Sequence, residues 1–483
     1  MLKSIKLKYS SLSLQVKAAI WFLICSFLQK GISTITTPIF TRLLTTEEYG
    51  SYNVFNSWLG IVTIFATFNL SYGVYTQGLI KFSEDRNVFT SSMQGLSTIL
   101  ILICSIVYYA FHSFWNTMFS LSTVQMIAMF AMIWTTAAFG FWAGEQRVLY
   151  SYRKLVIVTL LVSIAKPIVG IVFVINADDK VTARILGLVS VELIGYTGLY
   201  VAQMCRGKVF CSNKYWKYAL FYNIPLIPHY LSQTVLSSAD RIMIQDMVGD
   251  SEAGIYSLAY SISLIMTLFN TALMQTISPW LYQKIKDKHV KDIASIAYLS
   301  LIVIAAVNIL LILCAPEVIA VFAPKSYYRA IWVIPPVAMS VYFMYSYDLF
   351  AKFAFYYEKT KIIMLASVIG AVLNIVLNYV FIKEFGYIAA GYTTLTCYVI
   401  YSVCHFVFMN YVCKRYAKTG NPYSLKILLL ITSIFVVLGF GLLLTYNHPI
   451  IRYSLIGLSL IFALIYHGKI VKVAKSIIKL KTE

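Results

Sequence analysis

Long runs of apolar residues, separated by short polar stretches, fill almost the whole chain. Most of these runs reach the ~17–25 residues that an α-helix needs to cross a bilayer. Their length and spacing predict an all-α membrane protein with fourteen transmembrane helices. The predicted helices cover residues 18–40, 52–74, 91–112, 122–143, 155–175, 185–204, 218–238, 254–277, 294–314, 331–351, 362–382, 388–410, 427–446 and 450–467.

The basic residues fall mainly on one of the two sides that these helices define. Cytoplasmic segments of membrane proteins carry an excess of Lys and Arg. With a cytoplasmic N-terminus, most of the 39 basic residues lie in cytoplasmic segments, and Lys30 and Lys166 lie within helices. The outer segments hold only Arg42, Lys180, Arg184, Arg241, Lys325, Arg329, Lys383 and Arg452. This asymmetry predicts that both termini are cytoplasmic.

The N-terminal segment is basic and precedes an apolar run, as in a signal peptide. No small-residue cleavage site follows it, so we expect an uncleaved first helix. Charged residues make up only 12% of the chain, too few to cover the surface of a soluble protein of this length. The net charge of +20 lies in short clusters between apolar runs, which indicates membrane topology and argues against nucleic-acid binding. The eight cysteines show no CxxC or Cys/His spacing, so we expect neither disulfides nor a metal site.

A short internal similarity predicts two halves. Residues 47–52 (EEYGSY) and 251–256 (SEAGIY) place Glu, Gly and Tyr at the same spacing before an apolar run. Six helices separate them, an even number, so both halves would have the same orientation. Such parallel repeats are typical of transporters with a central site. We expect a six-helix bundle over residues 1–211, a second over 212–415, and helices thirteen and fourteen with a basic tail over 416–483.

Short sequences in the predicted loops resemble those of a known protein family. Residues 41–50 (TRLLTTEEYG) resemble the loop after the first helix of bacterial polysaccharide flippases. Residues 239–242 (ADRI), followed by 253–256 (AGIY), resemble their second hallmark. The same pattern includes Pro279-Trp280, Asn374, Asn378 and the segment 385–390 (FGYIAA). By these residues the chain is identified as a member of the Wzx-type O-antigen and polysaccharide flippases of the multidrug/oligosaccharidyl-lipid/polysaccharide superfamily.

The resemblance implies a MATE-like fold in the bacterial inner membrane and alternating access between two six-helix bundles. It implies a cargo of undecaprenyl-diphosphate-linked oligosaccharide, flipped to the periplasmic leaflet during O-antigen, lipopolysaccharide or related synthesis. The accessory helices would hold membrane lipid in a groove. A polysaccharide polymerase and a chain-length regulator are the implied protein partners. No cofactor is implied, and a proton or sodium gradient would drive transport, since no P-loop accompanies Gly207-Lys208 or Gly468-Lys469.

Ionisable residues inside membrane helices are costly and usually face a cavity or a partner. Lys30 lies roughly twelve residues, or ~18 Å, from the inner end of the first helix, too deep for its side chain to reach the interface. We expect it to contact substrate phosphate; the alternative is a packing partner on another helix. Lys166 and Glu192 lie equally far from the turn near Asp179 and should share a depth. They predict either a structural ion pair or a pair that breaks during transport, with Lys166 as a lumen cation for the substrate and Glu192 as the coupling carboxylate.

Several other polar residues have two open interpretations. Arg42, Asp240 and Arg241 lie at predicted outer helix ends, where they would close a gate, line a phosphate path or form ordinary loop salt bridges. His229 is either a proton carrier or a hydrogen-bonded core histidine. Asn374 and Asn378, one turn apart, would bind sugar hydroxyls or join helices. Gln233 is a further lumen candidate, and the pair Asp348–Lys352 is expected to be local.

Two other functional classes remain as alternatives. A drug exporter of the same superfamily would favour carboxylates in its lumen, whereas Lys30 and Lys166 outnumber Glu192 in the central helices. A polymerase or ligase acting on the same glycolipid would carry a large outer catalytic loop, and the outer segments here are short connectors. Both observations favour a transporter of anionic cargo.

Overall fold

The computed structural model describes residues 13–287, 289, 292–417 and 420–468. The first part of the chain contains α1 (Leu14–Leu43), α2 (Thr46–Thr67), α3 (Val74–Lys81), α4 (Arg86–Ala110), α5 (His112–Phe119), α6 (Thr123–Val148), α7 (Tyr152–Ile175), α8 (Lys180–Gly207), α9 (Asn213–Asn223) and α10 (Ile227–Met247). The second part contains α11 (Asp250–Ser263), α12 (Thr267–Lys286), α13 (Ile293–Leu313), α14 (Ala315–Phe322), α15 (Ile334–Tyr356), α16 (Thr360–Phe385), α17 (Ala389–Val412), α18 (Leu425–Leu443) and α19 (Pro449–Ile465). The basic residues before residue 13 and after residue 468, on which the predicted termini rest, lie outside the described residues.

Ten helices in the described part of the chain are long and apolar enough to cross a membrane. The bent pair formed by a 3₁₀ segment, Lys325–Trp332, and α15 raises that number to eleven. A helix stands at each predicted position, but residues 52–74, 218–238 and 450–467 do not form single long apolar helices. The chain is therefore an all-helical, multi-pass membrane protein, and the number fourteen stays a prediction.

Three predicted helices are interrupted, and the one predicted over 254–277 is divided by the 3₁₀ turn Leu264–Met266 between α11 and α12. The helix predicted over 52–74 ends at Thr67, and Phe68 and Asn69 take positive φ angles of 48° and 56° before α3 begins. The side-chain amide of Asn223 donates to the freed carbonyl of Phe68 at 2.5 Å. The helix predicted over 218–238 is interrupted between α9 and α10 by a 3₁₀ turn containing Pro225, which has no N–H to donate. Pro225 predicts the interruption between α9 and α10, whereas no proline lies near the break after Thr67.

The chain divides into two compact units, Met1–Ser238 and Ala239–Glu483, with the boundary inside α10. We call them the N-terminal and the C-terminal unit. The predicted bundle boundaries at 211/212 and 415/416 stay predictions. In the N-terminal unit, α4 and α8 approach so closely that a Cβ atom on Gly207 would lie 2.1 Å from the Ser91 hydroxyl. Glycine is required there by space alone.

The C-terminal unit is built around α15, whose side chains are buried along most of its length. Helices α17 and α13 pack against it. Helix α18 also reaches this core, where a Cβ on Gly439 would lie 2.6 Å from the Met339 sulfur. The Tyr446 hydroxyl, between α18 and α19, donates to the Ile312 carbonyl of α13 at 2.6 Å and so connects the last two helices to this core.

Candidate functional site

Lys30 is a half-buried lysine within the long helix α1. No hydrogen bond or ion pair of its ammonium group occurs among the described residues. Its chain neighbour Gln29 donates to the Ser163 hydroxyl at 3.3 Å, which connects α1 to α7. Because a charge in a membrane helix is costly without a partner, Lys30 is available to an anionic ligand.

Lys166 and Glu192 form the ion pair that the sequence predicts. The Lys166 ammonium lies 2.5 Å from Glu192 Oε1. The other oxygen, Oε2, accepts from the hydroxyls of Thr135 at 2.7 Å and Thr136 at 3.4 Å. Glu192 is only 2% exposed, so both its oxygens are bonded in a buried site that joins α6, α7 and α8.

Asp240 lies inside helix α10 and not at the outer helix end where the sequence predicts it. Helix α10 continues past it to Met247, because nothing interrupts the chain before Gly249. The carboxylate is 1% exposed and accepts hydrogen bonds from the Tyr256 hydroxyl at 2.6 Å and the Thr394 hydroxyl at 2.9 Å. Neither the predicted loop salt bridge nor a surface position therefore describes it.

The third donor to Asp240 is the side-chain amide of Asn378, at 2.5 Å. The same amide lies 3.2 Å from Asn374 Oδ1, and Thr393 donates its hydroxyl to Asn378 Oδ1. Both asparagines are fully buried. Of the two interpretations of this pair, the structure shows the hydrogen bonding between helices α10, α16 and α17. We call Asp240, Tyr256, Asn374, Asn378, Thr393 and Thr394 the Asp240 network.

The remaining predicted residues have other surroundings. Arg42 is exposed and donates to the Pro38 carbonyl of its own helix at 2.8 Å. The Arg241 guanidinium lies 4.5 Å from the ring centre of Tyr260. Gln233 is exposed on α10. These three residues remain candidates for contact with a substrate.

His229 is half-buried near the start of α10. Its Nδ1 atom is buried, and no described residue forms a hydrogen bond with it. The ring lies 6.1 Å from that of Tyr230. The hydrogen-bonded core histidine expected as one alternative is therefore not what the structure shows at Nδ1, and the role of proton carrier stays a hypothesis.

The local pair Asp348–Lys352 is confirmed, with 2.7 Å between its atoms. Sequence reasoning missed a third buried carboxylate, Glu145, which lies beyond the predicted end of its helix. The Arg206 guanidinium donates to its two oxygens at 3.1 and 3.2 Å, and Gln203 donates to one of them at 2.8 Å. The available signal was the absence of proline between residue 143 and Val148, where α6 ends.

Two arginines assigned to outer loops by the sequence prove to be structural. The Arg184 guanidinium lies 3.9 Å from the ring centre of Phe40 and 3.5 Å from that of Tyr52, and so joins α8 to α1 and α2. Arg452 lies 2.5 Å from a carboxylate oxygen of Glu317 and joins α19 to α14. Sequence spacing predicts neither contact, because the partners lie far apart along the chain.

Known proteins place the chain in a family. The model of the family described as "Polysaccharide biosynthesis protein" matches residues 15–284, more than half of the chain, and the MatE model matches residues 225–380. Lsg locus putative protein 1 of Haemophilus influenzae is 23% identical over 394 residues, which cover 74% of this chain and 89% of that protein. An uncharacterized membrane protein of the same organism is 22% identical over 381 residues, which cover 74% and 88%.

Solved structures agree on the fold. The lipid II flippase MurJ, in an inward closed conformation, superposes with a TM-score of 0.69 at 17% identity, covering 93% of this chain and all of that chain. An inward-facing multidrug resistance MATE family transporter of the MOP superfamily gives 0.60 at 13% identity, covering 80% and 96%. The chain thus shares the fold of these two membrane proteins. It belongs to the polysaccharide biosynthesis protein family.

Proposed function

We propose that this protein flips undecaprenyl-diphosphate-linked oligosaccharide repeat units, of O-antigen or a related surface polysaccharide, from the cytoplasmic to the periplasmic leaflet. Alternating access of two helical bundles would carry the cargo across the inner membrane, with both termini in the cytoplasm and fourteen membrane-spanning helices. Membership of the polysaccharide biosynthesis protein family supports this proposal, as does the likeness in fold to a lipid II flippase.

The main support for an anionic cargo is that Lys30 has no partner in the described chain, whereas Lys166 is bonded to Glu192. An unpaired ammonium within a membrane helix raises the free energy of the folded protein. A diphosphate that enters the site would supply the missing negative charge. We therefore assign the first phosphate contact to Lys30, and leave Arg42 and Arg241 as secondary contacts.

We propose the Asp240 network as the site of the coupling ion. Its direct donors are neutral, while the guanidinium of its chain neighbour Arg241, which packs against the Tyr260 ring, acts on the carboxylate through space. A buried carboxylate held by neutral donors is costly, and either a proton or a sodium ion would reduce the penalty. Glu192 already has its countercharge and is the weaker candidate, together with His229.

The cargo is tested by deleting the gene and locating the lipid-linked oligosaccharide. We expect it to accumulate in the cytoplasmic leaflet while surface polysaccharide disappears, and both effects to be reversed by the wild-type gene. A matched strain that lacks a glycosyltransferase of the same pathway should lose polysaccharide without this accumulation. Intact polysaccharide combined with new drug sensitivity would replace the proposal with the exporter alternative.

A further inference from the structure

The C-terminal unit contains a small pocket, lined by both polar and apolar side chains, that none of the roles above uses. It lies between α12 and α15 and has a volume of about 160 Å³. At roughly 10–15 Å³ of such volume for each water-sized group, it accommodates about eleven to sixteen such groups. That is the size of one hexose ring. The residues that bring chemistry to it are Thr267, Asn270, Thr271, Tyr347 and Asp348.

The pocket offers fixed, uncharged hydrogen-bonding groups. The Asn270 amide nitrogen donates to the Val341 carbonyl at 3.0 Å, while its buried Oδ1 atom has no hydrogen-bond partner among the described residues. The Thr271 hydroxyl donates to the Thr267 carbonyl at 2.9 Å and keeps its acceptor lone pairs. Polar groups placed together within membrane helices are expected to face a ligand or water and not hydrocarbon.

The charge of the pocket is balanced within the protein itself. Asp348 Oδ1 accepts from the Lys352 ammonium at 2.7 Å. Asp348 Oδ2 has no partner in the part of the chain that the structure describes. The site therefore presents an acceptor for hydroxyl groups without the uncompensated charge that would attract a cationic drug or a phosphate.

One wall of the pocket is aromatic and held in place. The Tyr347 ring stacks on Tyr398, with ring centres 6.2 Å apart, and makes an edge contact with Tyr401 at 4.7 Å. A ring fixed in this way offers a flat apolar surface, as the C–H face of a pyranose requires. Amide, carboxylate, hydroxyl and aromatic ring together suit a neutral sugar.

We propose that this pocket binds one neutral sugar ring of the lipid-linked oligosaccharide. Asn270 and Asp348 accept hydrogen bonds from its hydroxyl groups, and Tyr347 packs against its C–H face. The inference rests on the proposed function, because a sugar reaches this site only if the cargo is glycosylated. It adds a glycan contact to the phosphate contact assigned to Lys30.

The test measures how much a sugar adds to the affinity for the carrier lipid. The full-length protein in lipid nanodiscs is titrated with undecaprenyl diphosphate, either bare or bearing one glucose, galactose, N-acetylglucosamine or N-acetylgalactosamine. We expect at least one sugar to tighten binding about tenfold, as one to two net hydrogen bonds provide. Asn270→Leu should remove this gain and leave the affinity for the bare carrier unchanged.

A second variant and a matched control separate binding from folding. Thr271→Val should remove part of the gain, about threefold, without altering the backbone contact of a buried residue. Thr276→Val is the control: its hydroxyl donates to the Ala272 carbonyl of the same helix at 3.1 Å, but it does not line the pocket. We expect it to retain the full gain.

The outcomes distinguish the two proposals. If the wild-type protein binds neither the bare nor any glycosylated carrier, the proposed function fails. If it binds the bare carrier and no sugar tightens binding, the pocket proposal is overturned while the flippase proposal stands. The same holds if the gain survives in both Asn270→Leu and Thr271→Val.

Discussion

Glu192 in the N-terminal unit and Asp240 in the C-terminal unit are both buried carboxylates, but their surroundings differ in charge. Glu192 is bonded to the Lys166 ammonium at 2.5 Å, so its charge is balanced by the protein. Asp240 accepts from Tyr256, Thr394 and Asn378, which are all neutral. A directly bonded pair holds helices together without any ligand, whereas a buried carboxylate held by neutral donors is the group that we propose takes up a positive ion during transport.

Lys30 and Lys166, the two lysines that the sequence places inside helices of the N-terminal unit, show the same contrast for positive charges. Lys166 is balanced by Glu192, while Lys30 has no partner in the described chain. The sequence already indicated this difference, since Lys166 and Glu192 lie equally far from the turn near Asp179. The structure shows Lys166 and Glu192 bonded to each other and Lys30 without an ion pair among the described residues.

The largest expected effect comes from Asp240→Asn. This change keeps the size of the side chain and removes the charge of the carboxylate, so we expect transport to fall by at least about tenfold and its dependence on a proton or sodium gradient to disappear. Flipping into proteoliposomes under imposed gradients of each ion measures both effects. Asp287→Asn, at an exposed carboxylate of the same unit, serves as a control and should retain both transport and its gradient dependence. A fully gradient-dependent Asp240→Asn protein would show that the coupling ion binds elsewhere.

The next largest effect concerns the pair in the N-terminal unit. Lys166→Met leaves the buried Glu192 without a countercharge, and we expect a loss of about 1–3 kcal/mol, reduced by the partial exposure of Lys166. The double variant with Glu192→Met should recover most of the thermal stability. Recovered stability with recovered transport supports a structural pair; recovered stability without transport would assign the pair a role in coupling.

The smallest effect separates the two threonines that donate to Glu192. Thr135→Val removes the hydrogen bond of 2.7 Å and should lower stability by about 1–2 kcal/mol. Thr136→Val removes the longer contact of 3.4 Å and should change stability by less than about 0.5 kcal/mol. Thermal unfolding of the two purified variants compares them directly. Equal losses would mean that the distances do not reflect the strength of the two bonds.

The features that follow local rules could be predicted from the sequence. The lengths of the apolar runs predict where the helices lie. The equal distance of Lys166 and Glu192 from the turn near Asp179 predicts that the two residues pair. The link between Asp240 and Asn378 spans 138 positions and joins groups without complementary charge, so no periodicity points to it. The break after Thr67 was missed because the amide that stabilises it belongs to a distant residue, Asn223.

The role of Lys30 is the central claim, and rates of flipping in proteoliposomes test it most directly. Undecaprenyl-diphosphate-linked oligosaccharide is supplied to wild-type, Lys30→Ala, Lys30→Arg and Lys154→Ala proteins at equal density, the last being an exposed lysine of the same unit. We predict that Lys30→Ala loses flipping, that Lys30→Arg recovers part of it, and that Lys154→Ala matches the wild type. A wild-type rate for Lys30→Ala would contradict the assignment of the phosphate contact.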